Sequence, residues 1–185
     1  KNLTKELGAE VVGLAKYTPS ILYQDAKIQN HKTVIIFGMA MKYDLMVDIG
    51  AESQEEVHRV YYELDEIGVR LSQRIGAMGF EARTHPNTGD FPLPAYGYLA
   101  GLGEVAKHGC LVSPELGSSF RLSAISTDMP FEVDGVQDYG MDELCQKCGI
   151  CERFCPGQAI MPEKREVAGV TRWHVDSDKC QPYFS

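Results

Sequence analysis

Four cysteines near the end of the chain carry the clearest chemical signal. Cys145, Cys148, Cys151 and Cys155 follow the spacing C-x2-C-x2-C-x3-C, and Pro156 comes directly after the last of them. Such short spacers let three thiolates from one loop reach three corners of a four-iron, four-sulfur cube. Structural zinc normally takes C-x2-C pairs set well apart, so it fits this spacing poorly. The motif therefore predicts an iron–sulfur cluster.

The two remaining cysteines allow more than one interpretation. Cys180 could be a buried thiol, the fourth ligand of a single cluster in place of Cys155, or a ligand of a second cluster. We favour the last interpretation, because in two-cluster proteins the fourth cysteine of such a motif ligates the other cluster. Cys155 and Cys180 would then share a second cluster that residues beyond Ser185 complete. Cys110 precedes an apolar stretch, which predicts a thiol buried in the core.

The composition argues against several classes of function. The 185 residues suit one domain with a small module, and 44% are hydrophobic, which is enough for a sizeable core. The net charge of −8 argues against general binding to nucleic acid or to an anionic membrane, since both require clustered positive charge. No run of about 18 apolar residues exists, so no transmembrane segment is expected. The chain starts at Lys1 without Met, so we expect the true N-terminus to be absent and leave the location open, either cytoplasmic or on the exterior of a membrane.

The spacing of apolar residues predicts the helices and strands upstream of the cysteines. Residues 53–78 have one apolar face, which predicts a long helix with Ser53 and Glu56 as a capping box at its start. The β-branched run 33–41 predicts a buried strand. Further strands are expected at residues 10–15, 79–83, 111–113 and 120–126, with a turn at 85–90 and a helix at 94–107. The composition changes after residue 130, which predicts a module boundary near 131–140.

The order of several short motifs resembles one known family. The motifs are Ala100-Gly101-Leu102-Gly103-Glu104, then Gly109-Cys110-Leu111-Val112-Ser113-Pro114-Glu115-Leu116-Gly117, then Arg121, then Ser126-Thr127-Asp128-Met129-Pro130. This order resembles the cobalamin-dependent reductive dehalogenases, in which an AGLGE segment precedes a PE-G turn, an arginine, a TD-P segment and two ferredoxin-type clusters. The resemblance covers about residues 10–184.

A sister family, the epoxyqueuosine reductases, shares the cobalamin domain and the clusters. It usually shows AGLGWIGK and an Asp-Tyr-His element that carries the catalytic acid. Here Glu104 stands at the tryptophan position, and Val60-Tyr61-Tyr62 stands where the acidic element would fall. Both departures favour the dehalogenase branch, although Lys107 is shared with the sister family.

The resemblance implies an α/β (α+β) fold with two parts. Residues 1–135 would form a nitroreductase-like cobalamin-binding domain, and residues 136–185 a ferredoxin-type 4Fe-4S module. It also implies base-off cobalamin, without a histidine ligand from the protein, and two 4Fe-4S clusters in the full-length protein. The glycines would let the backbone approach the corrin or its nucleotide tail. The expected cobalamin-binding residues are Gly101, Leu102, Gly103, Glu104, Gly109, Pro114 and Gly117.

The activity that the resemblance implies is reductive removal of halide from a small organohalide. Electrons would come from ferredoxin, flavodoxin or a membrane quinol system, and no nucleic-acid partner is expected. Tyr61 matches the family's proton donor, since a phenol keeps its proton at neutral pH. Arg121 would support the phenolate or the departing halide, and Asn87 would lie near the leaving group.

Each of these side chains has a structural alternative. Tyr61 could pack in the core, with Tyr62 as the donor, and Asn87 could merely serve a turn. Arg121 could pair with an acidic neighbour, Glu115 or Asp128. Two other functions also stay open: an epoxyqueuosine reductase-type enzyme of tRNA modification, and a non-catalytic iron–sulfur electron-transfer protein.

Overall fold

A four-stranded antiparallel sheet forms the centre of the computed structural model, which describes residues 1–87, 89, 91–167 and 170–183. Its strands lie in the order β1 (Val11–Lys16), β2 (Thr33–Ala40), β6 (Phe120–Thr127) and β3 (Ala82–His85). Because β6 is a central strand, its residues lie between those of β2 and β3, and the start of β6 meets the end of β2.

Both faces of this sheet are covered by helices, which explains the continuous apolar run of β2. Ile35 and Phe37 belong to the core on the side of α2 (Ala51–Ala77), whereas Val34 and Ile36 belong to the core on the side of α3 (Leu93–Leu99). Alternate residues of a strand point to opposite faces, so a strand covered on both sides must be apolar throughout. The predicted strand and long helix are both confirmed. The buried stripe of α2 consists of Val60, Leu64, Ile67, Leu71 and Ile75.

The predicted capping box of α2 is wrong. The helix begins at Ala51 with Gly50 as its N-cap, so Ser53 occupies the third helical position. Its hydroxyl accepts from the Gly50 N–H at 3.0 Å and donates to the Gly50 carbonyl at 2.9 Å. Glu56 is buried instead, where it accepts from the backbone N–H of Lys42 and pairs with Arg59.

The predicted helix at 94–107 is also shorter than expected, because α3 ends at Leu99. Gly101 follows with φ of +68°, a left-handed conformation that ends the helix and that glycine adopts without strain. The chain then forms a small hairpin of β4 (Glu104–Val105) and β5 (Leu111–Val112). The strand expected at 79–83 lies at Ala82–His85.

The part of the chain that follows residue 140 consists of short elements.

No helix among the described residues has both the length and the apolar character needed to cross a membrane. The mixture of helices with an antiparallel sheet confirms the predicted fold class. The remaining elements are α1 (Asn2–Glu6), α4 (Met141–Cys148), α5 (Ile150–Phe154), β7 (Arg165–Val167), β8 (Val170–Arg172) and α6 (Ser177–Cys180).

Candidate functional site

An open cleft of about 480 Å³ lies where β6 begins. Its wall includes two of the three predicted catalytic residues, Asn87 and Arg121, together with Gly109 and Cys110. Apolar side chains line the rest of the wall, among them Met41 and Leu93. The cleft therefore combines an apolar surface with a few polar groups, as small-molecule sites do.

Tyr61 of α2 contacts Arg121 of β6, which lines this cleft. The guanidinium carbon of Arg121 lies 5.4 Å from the centroid of the Tyr61 ring, in cation–π contact. The Nε of Arg121 is buried and has no hydrogen-bond partner in the described structure. Among the ion pairs of the described residues none involves Arg121, so the predicted alternatives of Glu115 and Asp128 are not its partners.

The two neighbouring tyrosines of α2 differ in exposure. Tyr61 is half-buried beside Arg121, whereas Tyr62 is 66% exposed on the solvent side of the helix. Consecutive residues of a helix point about 100° apart, so only one of them can face the sheet. Of the two tyrosines, only Tyr61 contacts Arg121 among the described ring contacts.

Asn87 is both a structural and a cleft-lining residue. Its Nδ2 donates to the backbone carbonyl of Leu122 at 3.2 Å, which ties the segment after β3 to β6 beside Arg121. The same side chain lines the cleft. The two interpretations of Asn87 are thus compatible, since the bond to β6 fixes the position of the amide.

The prediction for Cys110 is wrong. The residue is exposed on the cleft wall and does not belong to the core. Desolvation by the surrounding protein raises the pKa of its thiol, and the nearby charge of Arg121 acts in the opposite direction. Cys110 immediately precedes the short strand β5 and lines the cleft together with Arg121, so its apolar sequence context did not imply burial.

The glycine-rich loop predicted to bind cobalamin also contacts the segment that leads into the cysteine motif. A Cβ at Gly103 would lie 2.1 Å from the carbonyl oxygen of Val112, and a Cβ at Gly101 would lie 2.6 Å from that of Gly135. Glu104 accepts from the backbone N–H groups of Tyr139 and Met141, at 2.7 and 3.1 Å.

Among the predicted cobalamin-binding residues within the described ranges, only Gly109 lines the cleft itself. Leu102 packs beside the core on the α3 side, Pro114 is exposed in a turn, and Gly117 bridges to Ser113 with φ of +66°. Contacts of these residues with cobalamin stay a prediction.

The cysteine motif folds as two short helices and a following turn. Cys145 is buried in α4, and its Sγ accepts from the backbone N–H of Lys107 at 3.4 Å. The Sγ of Cys155 accepts from the N–H of Ala159 at 3.4 Å, and such backbone donors lower the pKa of the Cys155 thiol. Donors aimed at sulfur favour thiolates, which is the form that binds iron. The cysteines Cys145, Cys148, Cys151, Cys155 and Cys180 are all free thiols.

The described residues do not bring three His, Cys, Asp or Glu side chains together at one point, as a single metal ion would require. The thiols are distributed over α4, α5, the turn after them and α6.

Sequence reasoning missed a charged cluster between the two parts of the chain. The ammonium of Lys107, whose side chain is 6% exposed, pairs with Glu152 of α5 at 2.5 Å. The Trp173 ring centroid lies 4.8 Å from the same nitrogen, and Lys164 lies 5.3 Å from that ring. Only the presence of Lys107 in the motif of the sister family drew attention to it.

Comparison with known proteins identifies a matching iron–sulfur family and several relatives of the chain. A family described as "4Fe-4S binding domain" matches residues 141–161. A tetrachloroethene reductive dehalogenase of Desulfitobacterium hafniense is 27% identical over 191 residues, covering 96% of this chain and 34% of that protein. An epoxyqueuosine reductase of Lactococcus garvieae is 32% identical over 116 residues, covering 63% of this chain and 31% of that protein.

Among solved structures, the catabolic reductive dehalogenase NpRdhA in complex with 3-bromo-4-hydroxybenzoic acid matches with a TM-score of 0.90 and 28% identity. The match covers 98% of this chain and 28% of that one. The chain thus spans about a third of the length of the curated relatives it matches. These matches confirm the predicted resemblance to the reductive dehalogenases and the predicted fold.

Proposed function

We propose that this chain forms the catalytic and electron-receiving part of a cobalamin-dependent reductive dehalogenase. The observation that carries the proposal is that Arg121 and Asn87 line one cleft and that Arg121 also contacts the ring of Tyr61, in a chain that matches a 4Fe-4S binding domain. The overall change is replacement of a carbon-bound halogen by hydrogen, which consumes two electrons and one proton and releases halide.

The chain's residues fit this chemistry in part. When bound, reduced cobalamin supplies the electrons that cleave the carbon–halogen bond. The partnerless Nε of Arg121 and the open cleft offer a place for an anionic or halogenated ligand. Of the residues predicted to bind cobalamin, Gly109 lines the cleft and would lie against the corrin. The other residues of that set would act indirectly, by holding the loop in shape.

Tyr61 would hold the proton at its Oη and deliver it to the carbon that has lost halide. A phenolate forms as the proton leaves, and the guanidinium of Arg121 beside the ring would stabilise it. Asn87, fixed by its bond to β6, would present its amide to the leaving group. The cysteines of α4 and α5 would hold the cluster that receives electrons from an external donor, one at a time.

The test uses the full-length protein, loaded with iron–sulfur clusters and cobalamin and chemically reduced. We expect halide release from tetrachloroethene, which the name of one relative carries, or from 3-bromo-4-hydroxybenzoic acid, which is bound in a similar solved structure, and none from protein without cobalamin. Tyr61→Phe should reduce turnover at least 100-fold while the corrin and iron contents stay unchanged, and Tyr62→Phe, a matched control on the exposed side of α2, should keep it.

Three results would contradict the proposal. Equal halide release without cobalamin would exclude the cofactor's role. Wild-type turnover of Tyr61→Phe would exclude the assigned proton donor. Reduction of epoxyqueuosine in a tRNA anticodon stem-loop, without release of halide from any organohalide, would assign the chain to the sister activity.

A further inference from the structure

The Lys107–Glu152 pair lies against the cysteine motif from two directions. The backbone N–H of Lys107 donates to the Sγ of Cys145, and its ammonium reaches Glu152, the residue next to Cys151. Lys107 belongs to the turn between β4 and β5, whereas Glu152 belongs to α5, so the pair brings a charge from this hairpin to the cluster segment. Lys107 therefore contacts one predicted cluster ligand, Cys145, and is paired with the residue that follows another, Cys151.

The ammonium is held in a confined position. Its side chain is 6% exposed, and Trp173 packs against it at 4.8 Å. A buried charge is costly unless it is paired, so the ion pair with Glu152 is what permits Lys107 to be buried. Water screens a charge in this position far less than it screens a surface lysine.

The pair can change the electrostatics of the cluster without altering its ligands. The reduction potential of an iron–sulfur cluster depends on net charge, on hydrogen bonds to sulfur and on solvent exposure. The hydrogen bond to Cys145 comes from the Lys107 backbone, so it survives a change of the side chain. The side-chain charge can consequently be varied separately from that bond.

We propose that Lys107 and Glu152 act as opposed charges that set the reduction potential of the cluster held by this motif. The positive charge of Lys107 favours the reduced cluster and raises the potential. The negative charge of Glu152 lowers the potential, and its salt bridge fixes the ammonium beside the ligands. The pair is a positioning device for electron transfer; its part in turnover rests on the proposed function, whereas its effect on the potential does not.

The experiment is a potentiometric titration of full-length, cluster-loaded protein, followed by electron paramagnetic resonance of the reduced cluster. We expect Lys107→Met to lower the midpoint potential and Glu152→Gln to raise it. Each change should alter the reduction equilibrium about tenfold, which is about 59 mV for one electron. The double variant should return toward the wild-type value.

Lys164→Met is the matched control, because Lys164 lies against the same Trp173 ring but pairs with Asp142 and has a side chain that is 30% exposed. Its effect should be less than half that of Lys107→Met.

Shifts of the same sign in Lys107→Met and Glu152→Gln would overturn the proposal, because loosening of the fold, and not charge, would then explain them. So would shifts no larger than that of the control. If Lys107→Met fails to retain its cluster, Glu152→Gln decides alone: an unchanged or lowered potential refutes the proposal. None of these outcomes depends on dehalogenation, so a protein without that activity still tests the proposal.

Discussion

Replacing Arg121 by methionine removes the charge beside Tyr61 while preserving much of the side-chain volume. The guanidinium carbon lies 5.4 Å from the ring centroid, and the pair is half-buried, so an effective dielectric constant of about 20 is appropriate. A unit charge at that distance stabilises a phenolate by about 3 kcal/mol. Since each 1.36 kcal/mol corresponds to a factor of ten in rate, we expect Arg121→Met to slow proton delivery roughly 100-fold.

Single-turnover halide release, measured on reduced full-length protein of known corrin and iron content, is the appropriate assay. Arg121→Lys keeps the charge but loses the planar guanidinium, so it should fall between the wild type and Arg121→Met. Arg70→Met is the control, because Arg70 pairs with Glu66 on the exposed side of the same helix as Tyr61. Turnover of Arg121→Met within threefold of the wild type, at equal cofactor content, would refute the assigned role of the charge.

Three further predictions concern stability and the cleft. Hydrogen bonds from Arg59 lower the pKa of Glu56 to about 2, so the carboxylate stabilises the fold at pH values above the ordinary pKa near 4.5. Glu56→Gln should lower the free energy of unfolding at pH 7 by about 2–3 kcal/mol, and the difference should shrink as the pH falls toward 2; a difference that is constant across acid denaturation curves would contradict this. Gly103→Ala should cost about 1–3 kcal/mol in thermal unfolding, because the added Cβ meets the Val112 carbonyl, whereas Gly76→Ala, where a Cβ meets nothing within 4 Å, should be neutral or slightly stabilising. Asn87→Ala should slow halide release while the melting temperature changes little. A lower melting temperature with unchanged halide release would make Asn87 a turn residue only.

Local patterns explain the parts of the molecule that the sequence predicts well. The apolar stripe of α2 repeats every three or four residues, and the apolar run in β2 is short and β-branched. Each local pattern is therefore enough to predict the type of element and which of its residues are buried. The cysteine spacing is equally local. The predicted cap of α2 is wrong because Ser53 and Glu56 match a capping box by spacing, whereas in the structure Ser53 bonds to Gly50 and Glu56 accepts from Lys42 and Arg59.

Features that depend on distant segments were harder to predict. Tyr61 and Arg121 were paired through the resemblance to a family, since nothing in their own neighbourhoods shows that α2 crosses the start of β6. Lys107 and Glu152 lie 45 positions apart in the sequence, and only the fold brings the turn between β4 and β5 beside α5. The exposure of Cys110 likewise depends on a cleft whose walls come from distant segments of the chain.

The contacts of the Glu104 carboxylate restrict how the 4Fe-4S module can be exchanged between related proteins. The carboxylate accepts from Tyr139 and from Met141 at the start of α4, while its own backbone belongs to the hairpin of the sheet domain. A chimaera that grafted a foreign 4Fe-4S module after residue 135 would separate this carboxylate from its donors and Lys107 from Glu152. In any such exchange, the turn that carries Lys107 and the module that carries its partner Glu152 therefore have to match one another.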